Sequence, residues 1–281
     1  MEPAQGRRVR QTEAAAKGDT VGALDRGLGL LRCFTEQAPL LGYAEFERLT
    51  GIPRPTVVRL VATLVGQGML RPAPSGGGFM LGAGVVALAR VFLVGLDVRA
   101  VARPLMQALA NECQGTIYLA IREGLELVLI EACRAHSVLL APRLDVGSRV
   151  PLTHSALGRA YLLACDDVQR AQLLDSLALA RGDDWSRQGR DLSTALEAGR
   201  RQGYCLSIGE FHRDINSIAM PLRDAHGDVM AINFGGAAYD FPAERLERDI
   251  APRLRDLIQQ VAGEIGGTFE ARPALTQEAL V

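Results

Sequence analysis

Residues 51–66, GIPRPTVVRLVATLVG, constrain this chain more than any other stretch. A glycine turn leads into Pro53 and Pro55, whose fixed φ and missing N–H groups are tolerated at the opening of a helix and nowhere deeper. Val57, Leu60, Val61 and Leu64 then recur at three-four spacing, which gives a helix one buried side. Arg54, Thr56, Arg59 and Thr63 fall on the outward side, where their side chains can meet phosphates or base edges. Gly66 and Gly68 close the helix.

What flanks this stretch gives it a context. Leu24, Leu28, Leu31 and Phe34 predict a first helix over residues 23–36, ended by Ala38-Pro39. A short helix over 43–50 places Phe46 and Leu49 inward and Glu45, Glu47 and Arg48 outward. Strand candidates at 69–71 and 79–81 are separated by Pro74-Ser75-Gly76-Gly77-Gly78, which can only be a turn. Three helices and a hairpin predict a winged helix-turn-helix over 21–82, its last helix placed to enter the DNA major groove. Arg54, Pro55, Thr56, Arg59 and Thr63 are the candidate DNA-contacting residues.

Charge distribution fits that assignment. Residues 1–95 hold 11 Lys or Arg against 7 Asp or Glu, whereas the remainder holds 20 against 25. A basic front and an acidic back suit a DNA-binding head on a body that stays off DNA. The first 20 residues, rich in Arg, Ala and Gln, and residues 271–281 are expected to be disordered tails.

Residues 84–96 are apolar on most sides, with Arg90 the one charge, so a helix here must bury itself against something. It is expected to link the domains (83–98) and to help form a dimer. Asp97 can cap a further helix through Glu112. Beyond Gly115, strand-like runs at 116–121, 125–131, 138–140, 204–208, 216–222 and 229–234 interleave with helical ones at 154–164, 168–181, 192–202 and 242–265. Hairpin spacings predict an antiparallel α+β domain over 99–270 rather than a doubly wound sheet.

Several chemistries find little support. Cys33, Cys113, Cys133, Cys165 and Cys205 are isolated, with no CxxC pair, which fits a reducing cytoplasm. Cys133 beside Arg134 leaves a thiol redox sensor as an alternative, although a buried idle thiol is the simpler reading. His154-Ser155 with Asp145 lacks the G-x-S-x-G elbow of a hydrolase, and His136, His212 and His226 lack metal spacing. No catalysis, metal or cofactor is expected. No apolar run reaches the roughly 18 to 20 residues that span a membrane, and no signal-peptide core opens the chain.

The order of elements and a series of phrases resemble the bacterial IclR family of transcriptional regulators. In the head these are Leu49-Thr50-Gly51-Ile52-Pro53, Thr56 with Arg59-Leu60, and Gly78-Phe79-Met80-Leu81-Gly82. In the body they are Val150-Pro151-Leu152, Ser155-Ala156-Leu157-Gly158-Arg159-Ala160, Gly203-Tyr204 and Ser217-Ile218-Ala219-Met220-Pro221-Leu222. The resemblance implies a cytoplasmic homodimer or dimer of dimers on double-stranded palindromic operator DNA. It also implies a GAF/PAS-like body that binds a small organic or aromatic acid. The implied effector site is the Ser155, Ala156, Leu157, Gly158 turn, whose N–H groups at a helix start suit a carboxylate. Ser207, Ser217 and Asn233 match polar positions of that site, and Thr116, Tyr118 and Leu144 are further lining candidates.

Three departures stand out. Pro55 replaces a common Ser, Ser217 replaces a cysteine found in some members, and the strand before Asn233 reads one residue short. A slip of one residue in a strand would turn Asn233 to the other face. The expected function is effector-controlled transcription regulation, repressing or activating; a constitutive DNA binder without ligand and a redox sensor are the alternatives.

Overall fold

The structure, a computed structural model, describes residues 21–135 and 144–269. The expected terminal tails and the strand expected at 138–140 lie outside the described residues. The chain divides into two compact units, Met1–Gly95 and Leu96–Val281. The division falls inside the stretch expected to join the domains.

In the first unit, α1 (Gly22–Leu31), α2 (Tyr43–Thr50) and α3 (Arg54–Gly66) precede an antiparallel hairpin of β1 (Leu70–Pro72) and β2 (Phe79–Leu81). Leu30, Leu41, Phe46, Val57, Val61 and Leu70 form its core. α1 is shorter than the apolar spacing predicts. Phe34 lies beyond its end and meets Phe46 edge-on at 5.7 Å, so the residue fills the core from a turn rather than from the helix. The wing is fastened by a bridge between Leu41 and Phe79. Gly78 permits it, because a Cβ there would stand 2.6 Å from the Leu41 carbonyl oxygen.

α4 (Ala83–Val94) follows the wing, and none of its residues is buried in the single chain; Val86 is 70% and Val91 74% exposed.

The second unit is built on a six-stranded antiparallel sheet in the order β5-β4-β3-β8-β7-β6. Its strands are β3 (Thr116–Glu123), β4 (Glu126–Arg134), β5 (Arg149–Pro151), β6 (Cys205–His212), β7 (Ile215–Arg223) and β8 (Val229–Ala237). α6 (Ala156–Ala164), α7 (Asp167–Arg181) and α8 (Trp185–Gln202) share a core with one face through Tyr118, Ala120, Leu127, Leu129, Ala219 and Ala231. α5 (Asp97–Cys113) packs on β4 and β3, and α10 (Ala251–Glu264) on β7, β8 and α5.

Differences from the expected elements have local causes. The β3–β4 ladder continues to Glu123 opposite Glu126, because Gly124 at φ +65° makes a tighter turn than expected. The closing helix is not continuous. A short α9 (Ala243–Arg245) passes through a π turn, Leu246–Ile250, into α10. Pro252, just inside α10, has no N–H to continue the α ladder, and a widened turn absorbs the gap. β8 runs to Ala237, longer than expected, and pairs Asn233 with Tyr118 and Ala219.

Candidate functional site

One face of the sheet forms the floor of a cavity. Thr116 and Tyr118 on β3, Asn233 and Gly235 on β8, and Ile215 and Ser217 on β7 all line it. Each pair is two residues apart and therefore shares a face. The register sets Tyr118 opposite Asn233, Thr116 opposite Gly235, and Gly235 opposite Ser217. The walls are Ser155, Ala156 and Leu157 at the start of α6, with Val150, Leu144, Phe211 and Gly236. The cavity holds about 530 Å³ of empty space when its open mouth is counted.

The start of α6 is an organised helix terminus. Ser155 Oγ accepts from the Gly158 N–H at 2.9 Å and donates to the Pro151 carbonyl at 2.6 Å. The Arg159 N–H reaches back to the Ser155 carbonyl. The Ala156 and Leu157 N–H groups precede the first intrahelical bond, so they remain available, with the positive end of the helix dipole behind them. Among the described residues none that lines the cavity carries a charged side chain, although the Arg134 guanidinium stands 5.9 Å from the Tyr118 ring centroid at its edge. Burial pushes the Tyr118 phenol pKa up, against the opposing pull of Arg134, so the phenol stays neutral at physiological pH.

Eight of the ten residues expected at the effector site line this cavity: Thr116, Tyr118, Leu144, Ser155, Ala156, Leu157, Ser217 and Asn233. Gly158 and Ser207 do not. A Cβ at Gly158 would stand 2.4 Å from Leu152 Cα, so this glycine lets α6 close onto the Pro151-Leu152 backbone. Buried Ser207 donates through Oγ to the His154 carbonyl at 2.8 Å and accepts from the Phe211 N–H at 3.3 Å. Its hydroxyl ties two walls together rather than facing the space between them. Asn233 is partly committed as well, since its Oδ1 accepts from the Tyr118 N–H at 3.1 Å.

Sequence reasoning missed Val150, Phe211, Ile215, Gly235 and Gly236. Ile215 and Gly235 stand two residues from Ser217 and Asn233, so strand alternation carried the signal for both. Phe211 was hidden because β6 extends beyond 208 through a bulge.

In the first unit, α3 buries Val57 and Val61 and exposes Arg54, Pro55, Arg59 and Thr63, with Thr56 half-buried. Its first turn is closed to phosphate. The Arg54 N–H donates to Glu47 Oε1 at 3.2 Å, Pro55 has no N–H, and the Thr56 N–H donates to the Pro53 carbonyl at 2.9 Å. Thr63 Oγ1 donates back to the Arg59 carbonyl at 3.1 Å. The exposed cationic side chains, rather than the helix terminus, are the groups free to meet DNA.

The thiols are poorly suited to redox sensing. Burial pushes Cys133 up to about 11, with Glu131 adding to the rise and Arg103 and Arg134 opposing it. Cys205 is pushed up to about 12. A raised pKa keeps a thiol protonated and slow to react. Among the described residues no His, Cys, Asp and Glu cluster could hold a metal ion, and no helix is long and apolar enough to cross a membrane.

Comparison with known proteins matches both units. Residues 23–74 match the IclR helix-turn-helix domain, and residues 91–264 match the bacterial transcriptional regulator IclR C-terminal domain. The chain is 31% identical over 247 residues to the HTH-type transcriptional regulator TsaQ1/TsaQ2 of Comamonas testosteroni, covering 87% of this chain and 88% of that one. It superposes with a TM-score of 0.82 on the IclR family transcriptional regulator of Brucella abortus, at 37% identity, covering 90% of this chain and 97% of that one. It shares the fold of an IclR homologue from Microbacterium hydrocarbonoxydans complexed with 4-hydroxybenzoate, with a TM-score of 0.67, 22% identity, and coverage of 87% and 98%. A helix-turn-helix head joined to an antiparallel α+β body, each matched by its own family model, places this chain in the IclR family of bacterial transcriptional regulators.

Proposed function

We propose that this regulator controls a metabolic, catabolic operon and that a small organic or aromatic carboxylic acid in the body's cavity sets its operator affinity. The observation that carries this reading is the cavity itself. It is an apolar space with neutral hydroxyl and amide groups on its floor and two uncommitted N–H groups of α6 in its wall. N–H groups at a helix start hold a carboxylate well, and a largely apolar lining holds the rest of a small acid. The 4-hydroxybenzoate in the Microbacterium homologue makes aromatic acids the natural first probes.

Arg54, Arg59, Thr56 and Thr63 contact the operator, with Pro55 stiffening the helix start. The exposed α4 pairs two copies, so the operator is palindromic, with half-sites one or more helical turns apart. The assembly is a homodimer or a dimer of dimers acting in the cytoplasm. A ligand that favours one arrangement of the bodies shifts the population between geometries of the paired reading helices. The sign of regulation depends on where the operator lies relative to its promoter.

The test is a thermal-shift screen of small aliphatic and aromatic carboxylic acids, followed by operator binding with and without each hit. Stabilisation by an acid that also changes operator affinity supports the reading. Strong operator binding that no acid alters would instead identify a constitutive DNA binder.

A further inference from the structure

A second cleft opens at the other end of α6 from the cavity described above. Its floor is a row across the sheet. Ile121 pairs with Met230 and Val229 with Arg223, so Arg122 stands beside Val229 and the two arginines flank that valine on one face. Two strand spacings set them about 10 Å apart, a gap that two arginine side chains can close on a single anion. The walls are Tyr161 on α6, Asp166, Gln169 and Gln172 at and beyond the start of α7, and Asp224 and Asp228 in the β7–β8 turn. The cleft holds about 1370 Å³ of empty space with its open mouth counted, against about 530 Å³ for the first cavity.

The cationic groups in this cleft are held in place but not neutralised. Arg122 donates from Nε to Tyr161 Oη at 3.0 Å and from Nη1 to the Gly124 carbonyl at 2.9 Å. Arg223 donates from Nη1 to the Gly227 carbonyl at 2.9 Å and from Nη2 to the Ala164 carbonyl at the end of α6. Among the described residues neither guanidinium has a carboxylate partner, although three aspartates line the same cleft. Two of those carboxylates are turned to the backbone instead. Asp166 accepts from the Gln169 N–H at 2.7 Å, and Asp224 from the His226 and Asp228 N–H groups, each at 2.9 Å. Two guanidiniums fixed by neutral partners make a preorganised grip for an anion, and each keeps N–H groups to spare. Tyr161 Oη accepts from Arg122, so its own proton is left to donate to the same anion. The aspartates and glutamines around the grip disfavour a wholly anionic or wholly apolar ligand and suit hydroxyl donors.

We propose that this cleft is a second ligand site, for a hydroxyl-bearing phosphomonoester. Its phosphate lies between Arg122 and Arg223 within reach of the Tyr161 hydroxyl, and its own hydroxyls face Asp166, Asp228 and Gln169. A doubly charged phosphate matches two guanidiniums, whereas a carboxylate matches one. A space more than twice that of the first cavity suits a sugar phosphate or a nucleotide better than a free amino acid. Leu96 also lines the cleft, and it follows Gly95, where the first compact unit ends. Occupancy therefore bears on the segment that leads to the head. The site adds a second metabolic input and does not rest on the acid-binding reading of the first cavity.

The test is calorimetric titration of the full chain with glucose 6-phosphate and adenosine monophosphate, against glucose, adenosine, inorganic phosphate and L-serine, with a melting curve for each protein. At least one phosphomonoester is expected to bind about tenfold or more tighter than inorganic phosphate and than its own dephosphorylated form. Which one binds tells a sugar phosphate from a nucleotide. Arg122→Gln, at an exposed position, should weaken that binding about tenfold or more without lowering the melting temperature of the free protein. Arg223→Gln, which keeps a donor for the Ala164 carbonyl, should weaken it to a similar extent. If Arg223→Gln fails to fold, Arg122→Gln and Tyr161→Phe still decide, since the latter removes only the hydroxyl. Failure of both phosphomonoesters to bind, affinity no better than that of inorganic phosphate or L-serine, or affinity that survives the arginine replacements would each overturn the site.

Discussion

Arg159 on α6 and Glu210 on β6 form a two-pronged ion pair, with Nη1 donating to Oε1 at 2.7 Å and Nη2 to Oε2. The same guanidinium donates from Nε to the Thr153 carbonyl at 3.1 Å and from Nη1 to the Leu206 carbonyl at 2.7 Å. It thereby joins the turn that precedes α6 to the part of β6 that carries Phe211. That part needs holding, because the β6–β7 register breaks between Ile208 and His212, with Gly209 at φ +64°. Arg159 and Ser207 replace the missing ladder bonds, and the two cavity walls become one rigid corner.

The two partners differ in exposure, which sets the expected costs of removing them. Arg159's side chain is 4% exposed and Glu210's 42%. Arg159→Met leaves the Thr153 and Leu206 carbonyls unpartnered and should destabilise the body by about 3 kcal/mol or more. Glu210→Gln keeps a hydrogen-bond acceptor at a half-open site and should cost about 1 kcal/mol. Urea denaturation of each variant measures both; equal losses would contradict the assignment of Arg159 as the anchor.

Gly158 and Ser155 act on the same corner by different means. Gly158→Ala would drive a Cβ into the Pro151-Leu152 backbone, which cannot move aside as a flexible side chain would. Failure to fold, or a loss of about 3 kcal/mol or more, is expected. Ser155→Ala removes the cap on Gly158 and should cost about 1 kcal/mol while leaving the fold intact. Calorimetric melting separates the two, since only Ser155→Ala should still give a single sharp transition.

How much of this was legible beforehand follows from what encodes each feature. α3 and the wing were readable because proline, glycine and three-four apolar spacing act locally. Thr116, Ser217 and Asn233 came from resemblance, and only the register revealed that they share a floor. Phe211 and the Arg159–Glu210 pair were invisible, because a bulge and a contact 51 residues apart leave no periodic trace. That Ser207 stands outside the lining could not be read for a related reason: a buried serine on a strand looks alike whether it faces a cavity or a neighbouring carbonyl. The π turn before α10 could have been suspected from Pro252, which the apolar pattern overrides.

The thiols give a pH prediction. A cysteine ordinarily ionises near 9, whereas folding pushes Cys133 up to about 11 and Cys205 up to about 12. Between those values the unfolded chain has released protons that the folded chain still holds, so stability present below pH 9 falls as pH rises. Tyr118, also shifted upward by burial, adds a fall of the same sign at higher pH. The urea midpoint should drop from pH 9 to 11, and less steeply in Cys205→Ala. At pH 8 neither Cys133 nor Cys205 should react with a disulfide reagent before unfolding. Loss of operator binding on mild oxidation of folded protein, reversed by reductant, would restore the redox alternative.

The reading helix offers the last prediction. With the Arg54 N–H held by Glu47, Pro55 lacking one and the Thr56 N–H turned to Pro53, no backbone donor at the start of α3 is free for phosphate. Binding therefore falls to side chains, and Arg59, exposed one turn inside the helix, is best placed to reach a base. Arg59→Ala should weaken operator binding by about tenfold or more, the order of one bidentate contact to guanine. Arg54→Ala, at the helix entrance, should weaken operator and unrelated DNA alike and reduce the salt slope by about one if its side chain meets phosphate. Neither change should alter the assembly state, because both side chains lie on α3 and the unburied apolar surface lies on α4. Fluorescence anisotropy at several salt concentrations, with sedimentation in parallel, decides between these roles. If Arg59→Ala leaves operator affinity unchanged, the outward side of α3 is not the surface that reads DNA.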